Sequence, residues 1–133
     1  MRNLIHATLI AGLIGAPIAP VFAARLSPEA RLAQITQGRV AGKPISCINL
    51  SRVGGNNDSE KIAGLAMAYR QGSTWYVNRF DGGCPRLGED TIVVTRLHSS
   101  QLCRGDTADL RMSGANIPVG TCIFGDFVPY TKE

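Results

Sequence analysis

Hydrophobic and polar positions follow two different rhythms along this chain. Between Leu26 and Gly38, in LSPEARLAQITQG, the apolar residues Leu32 and Ile35 stand three apart in an otherwise polar or small-residue stretch. Ser27 is placed to cap a helix, Pro28 suits its first position, Glu29 its first turn and Gly38 its stop, which predicts a helix from about Pro28 to Gln37. Arg39 to Pro44 reads as a connector. From Ile45 onward the period shortens, with β-branched and aromatic runs separated by glycine and asparagine clusters. Strands are predicted near Ile45 to Val53, Ile62 to Arg70, Thr74 to Phe80, Thr91 to Leu97, Thr107 to Met112 and Val119 to Phe127. Within the second, Leu65, Met67 and Tyr69 alternate with Gly64, Ala66 and Ala68, giving a bulky face and a small one that admits the helix. Gln71-Gly72-Ser73 is a tight turn that makes Tyr69 and Trp75 near neighbours. The predicted fold class is α+β: an N-terminal helix packed on a small antiparallel β-sheet or barrel of about six strands, stapled by disulfides.

The first segment has another pattern. One cation at Arg2 precedes a mostly apolar run from Ala7 to Ile18, and Val21 and Ala23 satisfy the small-residue rule of a secretory cleavage site. The expectation is a signal peptide over 1–23 and one domain over 24–133, periplasmic or secreted, with no transmembrane anchor after cleavage. The apolar run is shorter than the ~20 residues a spanning helix needs. Without Arg2, 13 basic residues face 10 acidic ones, a mild excess, and the arginines are scattered from Arg25 to Arg111. A nucleic-acid surface needs clustered cations with stacking aromatics, so nucleic acid is not an expected partner.

Cys47, Cys84, Cys103 and Cys122 form an even set in an exported chain, which reads as two disulfides. Zinc sites bring ligands in close pairs, whereas the spacings here are 37, 19 and 19 residues. Three connectivities are open. If the strands nearly close on themselves, the first and last lie side by side. That selects Cys47 with Cys122 and leaves Cys84 with Cys103.

The neighbourhoods Ser46-Cys47-Ile48, Gly83-Cys84-Pro85-Arg86-Leu87, Leu102-Cys103-Arg104-Gly105-Asp106 and Cys122-Ile123 together resemble a family of small exported proteobacterial proteins of unknown function, of the sphingomonad type. The likeness covers about Gly38 to Pro129. It implies that all four cysteines belong to a shared framework and that Cys103-x-Gly105-Asp106 is a framework turn in which Arg104 is incidental. It implies no activity.

Candidate chemistry is sparse. His98, with Ser99 and Ser100 beside it, does not make a triad, because adjacent residues of an extended chain point to opposite faces. Asn56, Asp58 and Glu60 alternate like the start of a calcium loop, but Lys61 stands where that loop needs glycine and Met67 where it needs glutamate. No metal, cofactor or catalytic residue is expected, and Asp106, Asp109 and Asp126 have no spacing that forces them together. Arg104-Gly105-Asp106 reads first as a turn, with Gly105 at positive φ, Asp106 bonding its own backbone two residues on and no bidentate partner evident for Arg104. The expected function is a non-catalytic, exported binding or envelope-accessory protein whose partner is an envelope protein or small ligand. The alternatives are an enzyme or enzyme inhibitor with a loop-borne site, and an adhesion factor using Arg104-Gly105-Asp106.

Overall fold

The computed structural model describes residues 24–53, 58–97 and 99–133. The segment read as a signal peptide, Asn56 of the calcium-like loop and His98 lie outside them. Helix α1 spans Pro28–Thr36, with Pro28 in its first turn, and the Ser27 hydroxyl accepts a hydrogen bond from the Ala30 amide at 3.2 Å. That bond satisfies one of the amides a helix start leaves unpaired.

Among the described residues ten strands follow: β1 (Arg39–Ala41), β2 (Cys47–Asn49), β3 (Ser59–Ile62), β4 (Ala66–Gln71), β5 (Thr74–Arg79), β6 (Thr91–Thr95), β7 (Gln101–Cys103), β8 (Thr107–Met112), β9 (Pro118–Ile123) and β10 (Phe127–Lys132). They form a five-stranded sheet in the order β1-β10-β5-β4-β3, a ribbon β2-β7 and a three-stranded sheet β6-β8-β9, with every pairing antiparallel. The chain is therefore mostly β rather than α+β, and the sheets do not close into a barrel.

The six predicted strands became ten, partly through local turns and partly through pairing with distant segments. Ile62 to Arg70 is two strands, because a turn centred on Gly64 (φ +68°) folds β3 back on β4, closed by the Leu65 amide on the Ile62 carbonyl at 2.9 Å. Val119 to Phe127 divides at Gly125, where the chain crosses from the three-stranded sheet to the five-stranded one. Arg39 to Pro44 is no mere connector, since β1 pairs with the last strand through Arg39↔Lys132 and Ala41↔Tyr130. Ile45 to Val53 keeps only three strand residues before the Asn49 side chain accepts from the Ser51 amide and starts a 3-10 turn over Leu50–Arg52.

The disulfides pair Cys47 with Cys103 and Cys84 with Cys122, not Cys47 with Cys122 and Cys84 with Cys103. The first and last strands are indeed neighbours, but they are β1 and β10, and neither carries a cysteine. Cys47 sits on the second strand, opposite Cys103 on β7, which lies outside the predicted strands. Cys122 points inward from β9 beside Cys84 in the segment after β5. The bridges span 56 and 38 residues of sequence, so the chain-entropy model gives each about 4 kcal/mol and does not distinguish them. Burial does: Cys84 and Cys122 are buried, whereas Cys47 and Cys103 are half-buried.

The five-stranded sheet has an apolar cluster on each face. On one, Leu32 and Ile35 of α1 lie over Ala66, Ala68, Ile62, Trp75 and Val77. On the other, Met67, Tyr69, Phe80, Phe124 and Phe127 pack with Ile48, Leu102, Leu110 and the Cys84–Cys122 bridge. Phe124 lies 5.0 Å from Phe80 and 6.2 Å from Phe127, centroid to centroid. The hairpin register sets Tyr69 opposite Tyr76 and Trp75 opposite Arg70, so Tyr69 and Trp75 face opposite ways.

Candidate functional site

Two surfaces carry the residues singled out in the sequence. The first begins at the end of β7, where Cys103 to Asp106 form a turn with the Asp106 amide on the Cys103 carbonyl at 3.1 Å and Gly105 at φ +88°. The Asp106 carboxylate accepts from the Cys103 amide at 2.8 Å, three residues back rather than two residues on, and so closes the turn from its own start. Phe124 clamps it from the neighbouring segment, accepting from the Gly105 amide (2.8 Å) and donating to the Asp106 carbonyl (2.9 Å). Arg104, expected to stand alone, is held by two carboxylates. Its Nη1 donates to Asp126 Oδ2 at 3.1 Å and its Nε lies 3.6 Å from Asp81 Oδ2.

Those carboxylates meet because of a buried side chain that sequence reasoning missed. Asn78 on β5 is fully buried, donates from Nδ2 to the Gly125 carbonyl at 2.7 Å and accepts at Oδ1 from the Gly125 amide at 3.1 Å. Gly125 is required for the approach, since a Cβ there would lie 2.5 Å from the Arg79 carbonyl oxygen. An asparagine in the TWYVNR strand, directly after buried Val77, was the available signal. The Arg104-Gly105-Asp106 tripeptide is thus tied down at both charged ends, and neither charge projects freely.

The other acidic candidates stay apart from this cluster or from one another. Asp109 on β8 accepts from the Thr121 hydroxyl at 3.1 Å and pairs with Arg96 at 3.6 Å. Asp58 pairs with Arg70 at 2.7 Å and Glu60 with Arg31 at 2.6 Å, so both carboxylates of the calcium-like loop that lie within the described residues have cationic partners. Ser99 accepts from the Gln101 amide at 3.1 Å and caps β7. Among the described residues no three His, Cys, Asp or Glu side chains converge in a way that could hold a metal ion. Burial pushes the Tyr69 phenol well above its ordinary value.

The second surface is the outer face of β6-β8-β9. The register Ile92↔Arg111, Val94↔Asp109 and Thr107↔Ile123 alternates this face with an inner one of Val93, Leu110, Ala108 and Cys122. Ile92, Val94 and Ile123 are 46%, 36% and 47% exposed. Trp75 and Tyr76 offer no such patch, since Trp75 is buried under α1 and Tyr76 is half-buried. An open groove of about 980 Å³ runs beside α1, but its cations are engaged: Arg25 with Glu89, Arg31 with Glu60, and Lys61 on the carbonyls of Glu89 and Thr91.

Among the described residues, fold and surface together define a disulfide-stapled, mostly β structure with one short helix and a sheet face on which Ile92 and Val94 on one side and Ile123 on the other flank Thr107, Asp109 and Arg111 of β8. No helix among the described residues is long and apolar enough to cross a membrane. No protein-family model, curated protein or solved structure matches the chain.

Proposed function

We propose that this chain is an exported, non-catalytic binding module of the cell envelope, acting in the periplasm or outside the cell, with a protein partner seated on the outer face of β6-β8-β9. The observation that carries the reading is the exposure of Ile92, Val94 and Ile123 on one side of one sheet. Apolar side chains gathered on a face mark interaction sites more often than singly scattered ones do. Two disulfides and the leader-like segment support the compartment, because disulfides persist where the surroundings are oxidising. Membership in the sphingomonad-type exported family belongs to the same proposal and rests on the cysteine neighbourhoods alone.

The test uses the full chain in the exporting cell. A photo-crosslinking residue at Val94 should give a discrete envelope adduct, and one at Lys43, on a different part of the surface, should not. Equal adducts from both positions, or none from Val94, would remove this face as the docking site. N-terminal sequencing of the recovered protein should begin at Ala24.

A further inference from the structure

We infer that Cys47–Cys103 is a thiol–disulfide exchange site, reducible by an external dithiol while the domain stays folded, and that Cys84–Cys122 is not. The inference is independent of the docking face.

Three observations carry it. First, the pair lies on the solvent side of its ribbon. In the β2-β7 register Ile48 opposes Leu102 and both are buried in the aromatic cluster. Alternation therefore turns Cys47 and Cys103 the other way, directly opposite each other with Cα atoms 4.0 Å apart, and both are half-buried. Exchange requires a thiolate to reach a sulfur, so access decides which bridge reacts. Cys84, with no exposed surface, and Cys122, 7% exposed, are shielded by the core.

Second, the ribbon is held without the bridge. The Arg104 amide donates to the Ser46 carbonyl at 2.7 Å on one side and the Leu50 amide to the Ser100 carbonyl at 3.1 Å on the other. Ile45 exchanges two backbone hydrogen bonds with Phe127, each 2.9 Å, just before β2 begins. Third, the buried side chains of Ile48 and Leu102 anchor both strands from beneath. Opening the bond leaves two thiols still facing each other and able to close again.

The chemistry balances with a dithiol as co-reactant. One thiolate of the dithiol attacks the Sγ of Cys47 or Cys103, forming a mixed disulfide and expelling the other cysteine as a thiolate, which takes up a proton. The second thiolate of the dithiol then attacks its own mixed sulfur and releases the remaining cysteine. Two electrons pass to the protein pair, and the dithiol leaves as a disulfide. The reverse sequence re-oxidises the pair.

The experiment treats the folded, oxidised protein with graded dithiothreitol, traps free thiols by alkylation and maps them by mass, with circular dichroism recorded on the same samples. Cys47 and Cys103 should be labelled at least about tenfold faster than Cys84 and Cys122, with the spectrum of the oxidised protein retained. Labelling of all four at one rate, of Cys84 and Cys122 first, or only with loss of the folded spectrum would overturn the inference. The Cys47→Ser/Cys103→Ser double variant should fold and lack the fast phase. Failure of that variant to fold would equally overturn it, because a fold that survives the open bond is part of the claim.

Discussion

The two faces of the five-stranded sheet hold together by different means. On the helix side, Ala66 and Ala68 present almost nothing, and Leu32 and Ile35 descend into the space their short side chains leave. On the other side the same strand offers Met67 and Tyr69 to a cluster of three phenylalanines, with one disulfide inside it and another on the ribbon that covers it. A strand of alternating large and small residues thus builds two layers with unequal anchorage. The helix layer depends on two side chains and a cap, whereas the aromatic layer is fastened through distant segments of the chain. The helix layer should accordingly open first.

The strongest way to break this contrast is to empty the aromatic side. Phe124→Ala removes a fully buried ring that touches both Phe80 and Phe127, and should cost about 3 to 5 kcal/mol. Leu32→Ala should cost about 2 to 3 kcal/mol, toward the low end for buried leucine because a helix over alanines can settle closer. Denaturant melts measure both. Hydrogen exchange sharpens the comparison: Leu32→Ala should speed exchange in α1 and leave β8 protected, whereas Phe124→Ala should speed both. Equal loss of protection in α1 and β8 in the Leu32→Ala protein would show that the layers are one cooperative unit.

A smaller effect is expected at the turn beside the half-buried bridge. Gly105→Ala should cost about 1 kcal/mol, because φ of +88° disfavours a side chain even where space is open. An unchanged melting midpoint would mean that the turn relaxes freely.

The smallest effect appears only at high pH. Burial raises the Tyr69 phenol above its ordinary value of 10.0, so the unfolded chain releases this proton before the folded one does. The folded state then binds the extra proton, and its stability falls as pH rises past about 10. Tyr69→Phe should show a shallower loss of stability than wild type between neutral pH and that range. Parallel pH profiles for the two proteins would place Tyr69 ionisation outside the stability balance.

Much of the local structure was legible because it is decided by neighbours in the chain. Ser27 and Pro28 start the helix through an amide three residues away, and Gly72-Ser73 closes the hairpin between Gln71 and Thr74. The alternation at Gly64 to Tyr69 marked which face the helix would take. The same short range misled the reading at Gly64, which looked like one small position in a long strand but turns the chain back on itself. At the candidate surface, the turn at Gly105 was legible, and the two carboxylates that hold Arg104 were not.

The sequence by itself determined the helix limits, the hairpin turn, the glycine turn after Cys103 and the presence of four cysteines able to form two bridges. Only the tertiary structure decided which cysteines meet, that Gln101–Cys103 is a strand because β2 lies beside it, and that Asp81 and Asp126 converge on Arg104 across the Asn78–Gly125 contact. The reason is physical: caps, turns and positive φ act over three or four residues, where the identity of each residue fixes the outcome. Cysteine pairing and ion pairing depend on which distant strands share an edge, and four chemically identical thiols carry no mark of their partners.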